Sequence, residues 1–204
     1  MTPIELLMSE HRTIEMVLDC LEAMCDEARR TKSLDGVRAA AATDFIRNYA
    51  DRIHHAKEEK RLFVAMERLG FGPDEGPIAV MLSDHNEGRA HVGQMIASIT
   101  GAADGDEAAL RNFIGNAEAF IDLLRSHIYK EDNILYPMAI DMLSQAEIDA
   151  LEEEFRKADA ETGDSDKYLK IAESLALHYK ITKKSEDCRS TEFCGHCGGF
   201  QSER

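Results

Sequence analysis

The chain is 204 residues long, 44% hydrophobic, and sets 39 acidic against 24 basic residues for a formal net charge of -15. That balance excludes a nucleic-acid surface, which needs clustered Lys and Arg, and no run reaches the roughly 18 uninterrupted apolar residues of a membrane span. Four prolines, no tryptophan and little β-branched patterning disfavour a sheet protein, and the start Met1-Thr2-Pro3-Ile4-Glu5 lacks the basic-then-apolar order of a signal peptide. An acidic, cytoplasmic, mostly helical chain is expected, and the odd set of five cysteines does not resemble a secreted disulfide framework.

Thr2-Pro3-Ile4-Glu5 reads as a helix start: Thr2 caps, Pro3 supplies the first helical φ, and Glu5 completes a capping box. The first helix carries Ile4, Leu7, His11, Ile14, Leu18, Leu21 and Cys25 at alternating three- and four-residue spacing, so His11 falls within the core-facing stripe. A second helix is predicted from about Ser33 to Leu69, ended by Gly70, Gly72 and Pro73, with His54 beside its apolar face. Gly76-Pro77 opens a third, with the stripe Ile78, Met81, His85, Val92, Ile96 and Ile99. A fourth follows Ala103-Asp104-Gly105 and presents Phe113, Ala117, Phe120, Leu124, His127, Glu131, Ile134 and Met138, with a bend expected at Pro137.

Four long helices with short connections predict an all-α, up-down-up-down four-helix bundle over residues 1–143. A helical extension over 144–184 follows, made of a short helix opened by the capping box Ser144 to Glu147 and a last helix through Leu175 and Tyr179. Residues 185–204 form a polar, Cys- and Gly-rich tail. A faint repeat joins the second and fourth helices: His54-His55-Ala56-Lys57-Glu58-Glu59 then Leu62-Phe63, against His127-Ile128-Tyr129-Lys130-Glu131-Asp132 then Leu135-Tyr136.

Three helices carry His-x-x-x-Glu: His11 with Glu15, His54 with Glu58, and His127 with Glu131. Residues four apart share a helical face, so each pair can aim an imidazole nitrogen and a carboxylate at one point. The third helix adds His85, with Arg89 where a matching carboxylate would stand. One histidine in an apolar stripe is usually a core residue bonded to a carbonyl. Four of them on four helices, with three carboxylates, would cost many kcal/mol to bury uncompensated, at about 1–3 kcal/mol for each unpaired polar group. A metal centre removes that cost. Imidazole with carboxylate suits iron or manganese better than structural zinc, and seven candidate ligands complete two ions if Glu58 and Glu131 bridge them.

His11, the His54-His55-x-Lys57-Glu58-Glu59 run, the Asp84-His85-x-Glu87-Gly88-Arg89 segment and His127-x-x-Lys130-Glu131-Asp132 together resemble the hemerythrin-like, HHE cation-binding domain over about residues 1–143. The resemblance implies a four-helix bundle with two non-haem Fe ions joined by an oxo or hydroxo bridge. It implies His11, His54, His85 and His127 as terminal ligands and Glu58 and Glu131 as bridges, with Glu15 either a ligand or a neighbour of one. Oxygen-carrying hemerythrins place a second histidine where this chain has Arg89, and an aspartate five residues after the fourth-helix histidine where this chain has Glu131 at four. More carboxylate and less imidazole favour the ferric state, so redox chemistry with O2, peroxide or NO gains weight over reversible carriage.

His55 and Glu59 are read as neighbours of the ligands or as a bundle-edge pair, since they point about 100° away on an α-helix. Arg89 is read as pairing with a ligand carboxylate or as solvated, and Tyr49, Tyr129 and Tyr136 as core residues. In the tail, Cys188, Cys194, His196 and Cys197 offer three thiols and an imidazole, so a small Zn or Fe knuckle, a dithiol redox pair and an unstructured thiol tail all fit. The leading functional expectation is a di-iron protein that senses or detoxifies a small diatomic or peroxide ligand. The alternative is a non-enzymatic iron- or oxygen-binding module that signals to a protein partner through the extension and tail.

Overall fold

The computed structural model describes residues 1–162 and 165–182. α1 spans Pro3–Thr31, and its first turn carries the expected capping box: Glu5 N donates to Thr2 Oγ1 at 3.2 Å, and Thr2 N donates to Glu5 Oε2 at 2.8 Å. α2 covers 36–67 and starts later than Ser33, because Asp35 accepts from the Arg38 amide and takes the cap. α3 spans Gly76–Ala103 with Pro77 in its first turn. Asp104 and Gly105 (φ 91°) make the turn, and Asp106 caps α4, which covers 107–142. α3 runs to Ala103 and α4 begins at Glu107, so His85 and His127 lie at nearly the same height in the bundle.

Helices α2 and α4 are not regular. Ile46–His55 and Glu58–Leu62 in α2, and Glu131–Leu135 in α4, are π-helical. Such widened turns concentrate at functional sites, and here two of the three begin on a carboxylate of the repeated motif. Pro137, where the sequence pattern expects a bend, stands just after the π segment, and α4 continues to Met142. The π turn accounts for one difference from the sequence pattern. Ile134, assigned to the stripe by α-helical spacing, is half exposed while Leu135 is buried, because the added residue shifts the register.

The core is split in two. The larger cluster includes Ile14, Leu18, Phe45, Ile53, Phe113 and Phe120, and the smaller one Ile4, Leu7, Leu62, Phe63, Met81 and Tyr136. On α1, α2 and α3 the histidines that line the centre fall between the two clusters, and on α4 His127 sits at the end of the larger one, beside Ile128. The extension packs on the same cores: Leu151 and Phe155 of α5 (Gln145–Thr162) join the smaller cluster, and Tyr168, Ala172 and Leu175 of α6 (Ser165–Tyr179) join the larger. The result is an all-α bundle with two additional C-terminal helices. Among the described residues, no helix is long and apolar enough to cross a membrane.

Candidate metal centre

Two groups of buried side chains bring ligand-capable atoms within 4.8 Å of one another: His11, His54, Glu58 and Glu131, and His55, Glu58, His85 and His127. The two carboxylates tie the groups together. Glu58 Oε2 lies 3.6 Å from both His54 Nε2 and His85 Nε2, and Glu131 Oε2 lies 3.2 Å from His11 Nε2 and 3.1 Å from His127 Nε2. Each carboxylate therefore faces one imidazole from each group. Glu58 and Glu131 are completely buried, yet Glu58 Oε2, both oxygens of Glu131 and His54 Nε2 have no hydrogen-bond partner. Orphaned buried oxygens and a ring nitrogen aimed at one another cost several kcal/mol as a purely protein cluster, and a pair of cations resolves all of them. The donor set and its geometry fit a di-iron site.

The outward nitrogens are accounted for as well. Nδ1 of His11 meets Asp132 at 2.8 Å, His54 meets Glu10 at 2.9 Å, His85 meets Glu59 at 2.7 Å and His127 meets Asp84 at 3.3 Å. A carboxylate on Nδ1 sets the tautomer, leaving the Nε2 lone pair to face the centre. Each of these carboxylates is held in turn by a cation: Asp132 by Arg12, Glu10 by Lys57, Glu59 by Arg89 and Asp84 by Lys130. The repeat seen in the sequence is thus an approximate two-fold relation in space. Glu10-His11 on α1 corresponds to Asp84-His85 on α3, and His54-x-x-Lys57-Glu58-Glu59 on α2 to His127-x-x-Lys130-Glu131-Asp132 on α4.

Two positions break that symmetry. His55 of α2 corresponds to Ile128 of α4, and its ring stacks on His85 with centroids 3.8 Å apart. On an α-helix it would diverge from His54 by about 100°, but the π segment ending at His55 puts more residues in each turn, so adjacent rings both point inward. Tyr136 of α4 corresponds to Phe63 of α2; its buried hydroxyl donates to Glu58 Oε1 at 2.6 Å. Burial, with Glu131 and Glu58 nearby, raises the Tyr136 pKa well above the ordinary phenol value and keeps the proton on the oxygen.

Of the sequence-derived candidates, His11, His54, Glu58, His85, His127 and Glu131 come together, and Glu15 does not join them. Its carboxylate sits 3.1 Å from Arg12, at the edge of the bundle, and the carboxylate near His11 is Glu131 of α4 instead. Arg89 pairs with Asp51 and Glu59 rather than with a clustered carboxylate. The contributions of Glu10, Lys57 and Lys130 had no signal in periodicity; their only trace is adjacency to a histidine or glutamate of the motif. Cys188, Cys194, His196 and Cys197 lie outside the described residues.

The charges within the cluster are uneven. Burial disfavours protonation of His127, but Glu131 and Asp84 outweigh it and push its pKa up to about 9. Burial, reinforced by His11, pushes His54 down to about 4. Burial and the neighbouring Glu131 raise Glu58, whereas His127 and His11 overcome burial at Glu131 and hold it ionised.

Residues 2–139 match the Hemerythrin HHE cation binding domain. The chain belongs to that family. Curated relatives include uncharacterized proteins of Mycobacterium bovis and of two Mycobacterium tuberculosis strains, each 26% identical over 182 residues, covering 84% of this chain and 69% of theirs. No solved structure matches it. As an HHE-domain protein the chain has the expected bundle, and its two buried His/Glu groups are the metal-binding feature of that bundle.

Proposed function

We propose that this HHE-domain protein is a non-haem di-iron protein whose centre reacts with O2, peroxide or NO, in detoxification or sensing. The observation that carries the reading is the pair of carboxylates, each set between two imidazoles of opposite groups with oxygens that nothing else satisfies. His11 and His54 would hold one ion and His85 and His127 the other, with His55 nearby, and Glu58 and Glu131 would be shared between them. Two ferrous ions supply electrons and Lewis acidity that no side chain here can provide.

The chain's own residues do the rest. Asp132, Glu10, Glu59 and Asp84 keep the imidazoles in the metal-binding tautomer, and their Arg and Lys partners offset the negative charge so gathered. Tyr136 holds one oxygen of Glu58 and leaves the other free to point inward. The apolar clusters on either side keep bulk water from the carboxylates, which strengthens every electrostatic contact within.

Metal analysis with an optical spectrum tests the centre: about two irons per chain with oxo-bridge charge-transfer bands are expected. A single zinc per chain, or metal content unchanged in the His54→Ala, His127→Ala double variant, overturns it. Peroxide consumption by the iron-loaded protein tests the reactivity. Metal-dependent turnover supports an oxidoreductase, and stoichiometric binding without turnover sinks that reading in favour of a binding module.

A further inference from the structure

The two halves of the centre differ in what lies outside them. A cavity of about 350 Å3 opens between α2 and α3 and ends on His55 and His85. Its walls are apolar, formed by Ile46, Ala50, Gly88, Val92, Phe120 and Leu124. Small residues on the facing helices create it. The Phe120 ring packs against Gly88, where a Cβ would make ordinary contact at 3.4 Å, and a Cβ on Gly93 would meet nothing within 4 Å. On the other half of the centre the Tyr136 ring stacks on His11, with centroids 5.5 Å apart. Ile96, placed in the core stripe by its spacing, is partly exposed because it lines this cavity.

The cavity is too large to be only a path for a diatomic gas. One water occupies about 30 Å3, so the space holds roughly twelve such volumes, and cavities from about 300 Å3 upward are the size that encloses small organic ligands. Its polar groups also restrict the occupant. At the mouth, Arg89 is already tied to both Asp51 and Glu59, and the exposed Arg47 lines the rim. At the inner end, Asp84 lines the cavity but is tied to Lys130 and His127, so the charges there are already paired and the apolar walls favour an uncharged occupant.

We propose that this cavity is the organic-ligand pocket of the centre, and that it takes an uncharged, largely apolar molecule of roughly ten non-hydrogen atoms seated with one end on His55 and His85. The assignment rests on the di-iron reading for its purpose, not for its existence. The pocket binds its ligand through the apolar walls, and His55, the imidazole that breaks the two-fold relation, forms its floor beside the metal-binding half of α3.

The test is calorimetric titration of the purified protein with 2-phenylpropan-2-ol, a neutral molecule of that size, and with benzoate as an anion of similar bulk, with iron content measured on the same samples. Gly93→Leu fills the cavity from an unobstructed position, and Gly93→Ala is its control; both should keep or raise the melting temperature, because a helical glycine is replaced. The alcohol should bind saturably to the parent and to Gly93→Ala, at least tenfold more weakly to Gly93→Leu, and benzoate should bind at least tenfold more weakly than the alcohol. Absence of alcohol binding, equal binding by Gly93→Leu, or preference for benzoate overturns the proposal. Two irons per chain with no alcohol bound defeats the pocket and leaves the centre standing; alcohol bound to a protein that takes no iron does the reverse.

Discussion

Lys57 is 2% exposed, and its ammonium lies 2.5 Å from Glu10 Oε1 and 2.7 Å from Asp159 of α5. Lys57→Met keeps most of the aliphatic volume and removes the charge, so the loss is electrostatic rather than a cavity. Asp159 is 40% exposed and rehydrates, but Glu10 is buried and keeps only His54 as a partner. Breaking a buried pair from one side costs about 3–5 kcal/mol, and the survival of the His54 contact places this case near 3. For a chain of this length that is a fall in melting temperature of roughly 6–12 °C. Urea unfolding at pH 7 measures it, and a double-mutant cycle with Glu10→Gln isolates it, since the amide still accepts from His54 and no carboxylate is stranded. The sign with pH follows: Lys57 and His54 overcome burial and hold the Glu10 pKa below its ordinary value, so its contribution is present above about pH 4.5 and is lost as pH falls through the folded value. A cost under about 1 kcal/mol at pH 7, or a double variant no more stable than Lys57→Met, would mean that no carboxylate is stranded at Glu10.

Tyr136→Phe removes the hydrogen bond to buried Glu58 and should cost about 1–3 kcal/mol in urea unfolding and shift the iron charge-transfer bands; an unchanged spectrum would detach Tyr136 from the centre. Phe155→Ala, at a 1% exposed position of the smaller core, should cost about 3–5 kcal/mol, and a loss below about 1 would mean that α5 contributes little to bundle stability. Burial pushes Cys20 up to about 11 and Cys25 up to about 12, so both should resist a thiol reagent at pH 8 until the protein is unfolded. Because those folded values exceed the ordinary thiol value near 8.5, the associated stability is intact below that pH and is lost as pH rises towards 12. Alkaline unfolding midpoints that do not move upward in Cys20→Ala, Cys25→Ala would contradict this.

How legible the centre is in the sequence depends on the range of the interaction involved. His11, His54, His85 and His127 are visible because a ligand on a bundle helix must share the face that packs, and that face repeats every three or four residues. His54 with Glu58 and His127 with Glu131 are visible for the same local reason. Glu15 obeys the same spacing, yet Arg12 takes its carboxylate and Glu131, 120 positions along the chain, faces His11 instead. His55 is misjudged by α-helical geometry because the widened turn that swings it inward has no sequence period of its own.

The helical class and the stripe that buries four imidazoles are already written in the chain's periodicity, and the acidic surplus in its composition. These follow from backbone periodicity and composition, which act over a few residues. Packing alone settles which carboxylate meets which ring, that Lys57 and Lys130 secure the carboxylates behind His54 and His127, and that an apolar space opens beside His55 and His85. Those depend on side chains from different helices meeting at one height, and on residues such as Ala50 and Gly88 from separate helices lining one space, relations that arise only when the helices pack.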